Sequence, residues 1–281
     1  MRQSVPAARG LTRRDFAMSS ALVLAGVLGG PARVMVVAAQ VARSGGSPNP
    51  DLIDDLVAAN RILANQGILD GYGHVSVRHD AAPGRFLMAR DLAPALVTAA
   101  DVLEYDLDSN PIDARGRSVY RERFIHGEIY KARPDVKAVV HSHSPAVIPF
   151  SLSATPLRPA FHMAAFVVDG VPTFDPSREP GSHHVLIMTA DAGRALAQTL
   201  GSKAAVLVRG HGAAVVGTTL PMAVGRSIYL EASAKIQAQA MALGGEVTYL
   251  DPQAAREAAQ NSYERAWELW KRKAMEHVRT R

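Results

Sequence analysis

Residues 136–144 read VKAVVHSHS, an apolar run that ends in two histidines separated by one serine. A short apolar run of this kind predicts a buried β-strand. Residues two apart on a strand face the same side of the sheet, so His141 and His143 should project together, with Ser142 on the other side. Two imidazoles on one face can coordinate a metal ion, but the short pattern His-x-His also occurs as paired polar or surface histidines without a metal.

The segments around this strand alternate between helical and extended patterns. Apolar spacing predicts helices in residues 51–67, 120–132, 191–201 and 220–245, the first ending near Gly67. Alternating or continuous apolar residues predict strands in 71–79 and 85–89, and two extended segments broken at glycine in 204–217. Intermixed helices and strands without a second linker predict one α/β domain, residues 51–281.

The composition excludes several classes of protein. Of the 281 residues 48% are hydrophobic and none is cysteine, which is typical of an ordinary globular protein. The absence of thiols excludes iron–sulfur clusters, thiolate zinc sites and a cysteine nucleophile. Residues 1–39 hold five arginines and one aspartate, so they carry +4 of the formal net charge of +5. The rest of the chain is nearly balanced, which argues against nucleic acid as a partner.

The N-terminus has the pattern of an export signal. Arg13 and Arg14 precede the uncharged residues 17–30 and an alanine-rich stretch near residue 39. The paired arginines resemble a twin-arginine signal, with an uncleaved anchor or a chance arginine pair as alternatives. We therefore expect a signal peptide in residues 1–39, a linker in 40–50, a periplasmic or secreted mature protein, and no stable membrane insertion after cleavage.

A third imidazole and a carboxylate extend the histidine pair. His211 lies between Gly210 and Gly212, which let the backbone approach closely. Three imidazoles with an open position describe a catalytic zinc site, and they also suit Mn²⁺, Co²⁺ or Fe²⁺. Glu122 lies four residues before His126, so we expect both on one helical face, with the carboxylate placed to move protons. The alternative for Glu122 is an exposed partner of nearby arginines.

The order of these motifs resembles the class II aldolase/adducin family. The motifs are GYGHVSVR at 71–78, Glu122 and His126, HSHSP at 141–145, and GHG at 210–212. The resemblance implies a three-layer α/β/α sandwich around a central β-sheet, assembled as a homo-oligomer, with a tetramer favoured. It also implies a divalent metal, typically zinc, held by His141, His143 and His211, with Glu122 as the acid/base.

Departures from the family pattern bear on the substrate. The sugar-phosphate aldolases have asparagine in place of His74 and serines in place of Tyr120 and Arg121. Their loss argues against a phosphorylated sugar and makes the chain more similar to the decarboxylase branch. The expected small-molecule substrate is a non-phosphorylated hydroxy or oxo acid, with an aromatic carboxylate among the candidates. We predict that four residues bind this substrate, namely His74, Ser76, Arg121 and His162. For His74 and His162 the alternative is a hydrogen-bonded, partly buried histidine.

These expectations define a metal-dependent carbon–carbon lyase, a decarboxylase or a retro-aldolase, acting through a metal-stabilised enolate. An epimerase or a dehydratase on the same site is an alternative, because an enolate can collapse in several ways. A non-catalytic, adducin-like scaffold is another, although a scaffold has no need of three histidines and a glutamate in register. The remaining histidines are predicted to be structural (His79, His183, His184, His277). The C-terminal aromatics are predicted to be core or interface residues, and the alternative is that they complete a neighbouring subunit's site (Tyr249, Tyr263, Trp267, Trp270).

Overall fold

The structure, a computed structural model, describes residues 44–179 and 184–279, with side chains described as far as residue 276. The expected signal peptide at 1–39, residues 40–43 of the linker, His183 and the side chain of His277 lie outside these residues. The signal and its cleavage therefore stay predictions.

Seven helices and seven strands make up the described fold, with short 3₁₀ turns between them. The helices are α1 (Pro50–Asn65), α2 (Phe124–Ala132), α3 (Ile148–Leu152), α4 (Ala190–Leu200), α5 (Leu220–Ala242), α6 (Pro252–Ala258) and α7 (Glu264–Arg279). The strands are β1 (His74–Arg78), β2 (Arg85–Ala89), β3 (Val102–Asp106), β4 (Ala138–Ser142), β5 (Thr173–Phe174), β6 (Ala205–Val208) and β7 (Gly212–Gly217). Every strand predicted from the sequence is present, whereas β3 and β5 were not predicted.

The strands form one mixed sheet in the order β3-β2-β1-β4-β7-β6-β5. All neighbours are antiparallel except β5 and β6, which are parallel. β4, which carries the histidine motif, is the central strand. In its register His141 pairs with His74 of β1 and with Ala214 of β7. The sheet therefore places two of the predicted site histidines side by side.

Helices cover both faces of the sheet, which confirms the predicted three-layer α/β/α architecture. Val139 points into a core shared with Ile125 and Ile129 of α2 and Leu196 of α4. Its neighbour Val140 points to the other face, into a core built with three helices (Leu56 and Leu63 of α1, Val224 of α5, Trp267 of α7). The alternation of buried valines along β4 is the pattern of a strand covered on both sides.

Local signals explain where several helices begin and end. The side chains of Thr189 and Thr219 accept backbone N–H groups at the starts of α4 and α5. Gly201 ends α4 with a φ of 53°, a left-handed conformation that favours glycine. In the described residues no helix is both long enough and apolar enough to cross a membrane.

One predicted helix starts later than its apolar spacing suggested. Residues 121–123 form a turn, and α2 begins only at Phe124. The guanidinium of Arg123 fixes this path because it donates to the carbonyl oxygens of Ser109 (2.8 Å) and Tyr120 (3.1 Å). The prediction that Glu122 and His126 share a helical face is therefore wrong. Apolar periodicity marks the interior of a helix but not its first turn.

Candidate metal centre and active site

The three histidines of the predicted metal site meet at one edge of the sheet. His141 is near the end of β4, His143 follows that strand, and His211 lies in the turn between β6 and β7. Since β4 and β7 are antiparallel, the end of one lies beside the start of the other. Gly212 makes this approach possible: a Cβ atom there would lie 1.9 Å from the carbonyl oxygen of Ser142. The preceding turn needs Gly210, whose φ is +63°.

Each of these imidazoles is fixed through its Nδ1 atom. The Nδ1 of His141 lies 3.2 Å from the carbonyl oxygen of Ala213, and the Nδ1 of His211 lies 3.1 Å from that of Val185. The Nδ1 of His143 lies 3.1 Å from Oδ2 of Asp70. Carbonyl and carboxylate oxygens accept hydrogen bonds, so Nδ1 carries the proton in all three rings. Each Nε2 atom therefore presents a lone pair.

These lone pairs are directed toward a common point. The Nε2 atoms of His143 and His211 are 3.0 Å apart, and the buried Nε2 of His141 has no hydrogen-bond partner among the described residues. Two facing lone pairs at this distance repel unless a cation or a proton lies between them, and a buried nitrogen without a partner is costly. Three imidazoles whose other nitrogens are held by oxygen acceptors are the arrangement of a metal site with its supporting shell. The residues present therefore fit a divalent metal.

Glu122 is the fourth member of this group, and its ligand atom lies within 4.8 Å of those of the three histidines. Its Oε2 is 3.7 Å from Nε2 of His141 and 3.5 Å from Nε2 of His211. The backbone N–H of Ile187 donates to its Oε1 at 2.8 Å, which fixes the carboxylate. The side chain is buried, so the alternative of an exposed partner for nearby arginines is wrong. The turn before α2 thus delivers a carboxylate to the imidazoles.

Asp70 is a site residue that the sequence analysis missed. Its Oδ1 accepts the backbone N–H groups of Tyr72 (2.8 Å) and Gly73 (3.0 Å), which leaves Oδ2 for His143. Burial alone would raise the pKa of Asp70, but the hydrogen bonds from Tyr72, His143 and Gly73 lower it below its ordinary value. The sequence signal was an Asp immediately before the Gly71-Tyr72-Gly73 turn, a common Asx-turn pattern that does not by itself indicate a histidine partner.

A second group of polar side chains lies beside the first, on the same face of the sheet. The Nδ1 of His74 is 2.7 Å from Nε2 of His126, whose Nδ1 is 2.6 Å from Oγ of Ser76. Oγ of Ser76 is in turn 2.8 Å from the hydroxyl of Tyr130. Burial lowers the pKa of His126 to about 3, and it also lowers the pKa of His74. The ring of His74 lies 5.1 Å from that of His141, so this chain of four residues reaches the edge of the candidate metal centre.

The structure brings some predicted substrate-binding residues to the centre and leaves others apart from it. His74 contacts His141, whereas the Ser76 hydroxyl is fully buried and bonded to His126 and Tyr130. Arg121 is exposed beside Glu122 in sequence, and no hydrogen bond or ion pair joins it to another described residue. His162 is exposed on a 3₁₀ turn, next to Phe161. The substrate-binding roles stay predictions.

The C-terminal aromatics are mostly interior. Tyr263 and Trp267 are 4% exposed and belong to the apolar cores around α5 and α1. The hydroxyl of Tyr249 accepts a hydrogen bond from Gln237, and Trp270 packs at the edge of the α1 core. Packing within the chain therefore accounts for Tyr263 and Trp267, and a contribution of these aromatics to a neighbouring subunit's site stays an untested alternative.

Fold and site together define the class of protein. The model of the Class II Aldolase and Adducin N-terminal domain matches residues 54–238. The chain belongs to this family, as the order of the motifs implied.

Individual relatives show which branch the chain resembles. It is 36% identical over 242 residues to "Decarboxylase tropJ" of Talaromyces stipitatus, covering 77% of this chain and 91% of the relative. It is 29% identical over 202 residues to the 3,4-dihydroxyphthalate decarboxylase of Arthrobacter keyseri, covering 68% and 79% of the two chains. Among solved structures it is similar to the L-fuculose 1-phosphate aldolase from Glaciozyma antarctica, with a TM-score of 0.68, 26% identity, and coverage of 84% and 96%.

Proposed function

We propose that this protein is a metal-dependent decarboxylase acting on a hydroxylated carboxylic acid that bears no phosphate. Its family and its decarboxylase relatives support a carbon–carbon lyase. One observation carries it: three Nε2 lone pairs and a fixed carboxylate converge at one edge of the sheet, and each imidazole is held from behind by an oxygen acceptor.

His141, His143 and His211 would hold the divalent metal, for which zinc suits a site of three imidazoles best. Such an ion acts as a Lewis acid that stabilises negative charge developing on neighbouring substrate oxygens. Mn²⁺, Co²⁺ and Fe²⁺ suit the same three imidazoles.

Glu122 would transfer the proton. In decarboxylation the bond between the substrate carbon and its carboxylate breaks, the electron pair stays on that carbon, and a proton takes the place of the released CO₂. The carboxyl of Glu122 is buried beside the imidazoles and is aimed by the Ile187 N–H, so it can deliver this proton in a fixed direction. The exposed Arg121, which follows Tyr120 where sugar-phosphate aldolases have serines, would attract the substrate carboxylate.

Aromatic hydroxy acids are the substrates we favour. One relative is a 3,4-dihydroxyphthalate decarboxylase, and a dihydroxyphthalate is an aromatic ring with two carboxylates and two hydroxyls. His74 replaces an asparagine next to His141, and Tyr120 packs against His74 with ring centroids 4.7 Å apart. An imidazole and a phenol ring at this place suit a flat, hydroxylated substrate better than a sugar phosphate.

The first test is metal content by plasma mass spectrometry on the purified protein. A double variant, His141→Ala/His143→Ala, is measured beside it after circular dichroism has shown that both are folded. We expect about one divalent ion per chain in the wild type and none in the variant. A wild type that stays empty after incubation with Zn²⁺ and Mn²⁺ would overturn the metal site and favour an adducin-like scaffold.

The second test identifies the reaction. The metal-loaded protein is incubated with dihydroxyphthalates and with simple hydroxy and oxo acids, and CO₂ and aldehydes are both measured. We expect CO₂ release from at least one aromatic hydroxy acid. Aldehyde release instead would indicate a retro-aldolase, and a product with neither change would indicate an epimerase or a dehydratase.

A further inference from the structure

A second polar cavity lies at the far end of strands β6 and β7 from the histidines. It has a volume of about 330 Å³, and its wall includes four cationic side chains and one acidic one (Arg133, Lys203, Arg226, Arg256; Asp169). Lys203 precedes β6 and Thr218 follows β7, whereas His211 lies between these strands at their other ends. The six residues of β7 span about 20 Å, so this cavity is separate from the candidate active site.

Two of the four cations are already neutralised. Arg133 forms a bidentate ion pair with Asp135, at 2.8 and 2.7 Å, and its remaining nitrogen donates to the carbonyl of Gly201. Arg256 pairs with Asp169 at 3.2 Å. These two arginines therefore shape the wall without leaving a free charge.

The other two cations lack a carboxylate. Lys203 donates to the backbone carbonyl of Asp169 (2.6 Å), and Arg226 donates through Nη1 to the carbonyl of Val216 (2.7 Å). Within the described part of the chain neither is in an ion pair, and the Nε of Arg226 is buried without a hydrogen-bond partner. Two positive charges without a carboxylate partner repel each other in a partly enclosed cavity, because water screens them less there than at an open surface. A bound anion would offset this repulsion.

The cavity also has an apolar side. Phe166 lines it, and the guanidinium of Arg226 lies 5.6 Å from the centre of the Phe166 ring. The volume is at the lower end of the range for small-molecule sites and exceeds what a bare phosphate fills. The guanidinium of Arg226 has hydrogen-bond donors beyond the one given to Val216, and a charged guanidinium binds the oxygens of a phosphate or a carboxylate.

We propose that this cavity binds a small organic oxyanion, a phosphate ester or a polycarboxylate, through Arg226 and Lys203. The oxyanion meets the two unpaired cations, and its carbon skeleton packs toward Phe166. This site does not depend on the lyase activity proposed above, since it shares no residue with the histidine cluster.

Isothermal titration calorimetry in a phosphate-free buffer tests the proposal on the whole protein. The probes are inorganic phosphate, glycerol 3-phosphate and citrate, which separate a phosphate requirement from a general demand for negative charge. We expect one organic probe to bind with 1:1 stoichiometry and more tightly than inorganic phosphate. Absence of binding by all three at millimolar concentration would overturn the site.

Variants assign the binding to the cavity. Arg226→Met and Lys203→Met should each raise the Kd of the bound probe about tenfold or more, because each removes a charged hydrogen-bond donor. Arg115→Met is the matched control: its side chain is 79% exposed, is paired with Asp113 and does not line the cavity. An equal loss in this control, or no loss in the two cavity variants, would overturn the assignment.

Two further measurements keep the test decisive. If Arg226→Met does not fold, Lys203→Met carries the test alone, because the Lys203 ammonium makes a single hydrogen bond to one exposed carbonyl. The His141→Ala/His143→Ala variant should bind the anion as the wild type does. Loss of binding in that variant would show that the anion binds at the histidine cluster instead, which contradicts this proposal without contradicting the lyase.

Discussion

Two groups of histidines lie side by side on one face of the sheet, and they use their ring nitrogens in opposite ways. His141, His143 and His211 each bind an oxygen acceptor through Nδ1 and present Nε2 to a shared point. His126 uses both of its nitrogens within the protein, one on His74 and the other on Ser76. The Nε2 lone pairs of the first group are available for a ligand, whereas both ring nitrogens of His126 are engaged in hydrogen bonds within the protein.

This difference in hydrogen bonding distinguishes metal binding from the support of neighbouring side chains, two roles that the sequence alone does not distinguish. Free, converging lone pairs can bind a cation, and a chain of satisfied hydrogen bonds can hold a neighbour in place. Substitutions in the first group should therefore change metal content and turnover, and substitutions in the second should change mainly stability. The predictions below test that separation, beginning with the largest effect.

Replacing Glu122 with glutamine should give the largest effect on turnover. The amide keeps the shape and can still accept the Ile187 N–H, but it cannot transfer a proton. We expect kcat on an identified substrate to fall about 10²- to 10⁴-fold, with the metal content unchanged. Steady-state kinetics and plasma mass spectrometry measure the two quantities.

Glu128→Gln is the matched control for this variant, because Glu128 is also buried but is paired with Lys131 outside the cluster. It should retain nearly all turnover. Full turnover in Glu122→Gln would show that the proton comes from elsewhere, and loss of the metal would show that Glu122 is a ligand.

Replacing Asp70 with asparagine should weaken metal binding while leaving the three ligands in place. Asparagine can still form the turn to Tyr72 and Gly73, but it loses the charge that faces His143. Outer-shell carboxylates of this kind typically contribute a factor of about 10 to 100 in metal affinity. Competition with a chromogenic chelator measures the change.

Asp80→Asn offers the control for Asp70, since Asp80 accepts the backbone N–H of Asn49 and pairs with a histidine outside the cluster, His79, at 3.2 Å. This variant should bind the metal as the wild type does. Equal affinity in Asp70→Asn and the wild type would remove Asp70 from the site.

Acid should destabilise the metal-free protein through its buried imidazoles. The folded pKa of His126 is about 3 against an ordinary 6.5, so between these values the unfolded chain binds a proton that the folded chain does not. Stability is therefore present above about pH 6.5 and is lost as the pH falls. From pH 7 to pH 5 the contribution of His126 to the free energy of unfolding should fall by about 2 kcal/mol.

Urea titrations at the two pH values, with a chelator present, measure this loss. The His126→Gln variant should show a smaller pH dependence than the wild type. His162→Gln is the control, because His162 is exposed and its removal should leave the dependence unchanged. An identical pH dependence in the wild type and His126→Gln would contradict the assignment to His126.

The sequence predicted the first histidine group better than the second. A spacing of two on a strand and glycines beside His211 bring the three histidines together, and both signals are local. The contact of His143 with Asp70 spans 73 positions of the chain, and Glu122 is fixed by a backbone N–H 65 residues away. Such contacts follow from the packing of loops, which residue patterns do not encode.

The fold shows the same division between local and distant signals. β4 was predicted from its continuous apolar run, and α4 from its apolar spacing with Gly201 at its end. β5 has only two residues, too few for any periodicity, and exists because it pairs with β6. The turn at 121–123 depends on Arg123 reaching Ser109, a contact that spacing cannot show.

The smallest effect should come from the far end of the buried chain. In Tyr130→Phe the hydroxyl that contacts Ser76 is removed, but Ser76 keeps its bond to His126. We expect the free energy of unfolding to fall by about 1 kcal/mol, with metal content and kcat unchanged. Tyr105→Phe is the control, because both rings pack on Phe86 while the Tyr105 hydroxyl is buried with no hydrogen-bond partner among the described residues. That variant should be as stable as the wild type or more so, since it removes an unsatisfied polar group. If Tyr130→Phe instead lowered metal content, the chain through Ser76, His126 and His74 would position His141 as well, and the two groups of histidines would form one functional unit.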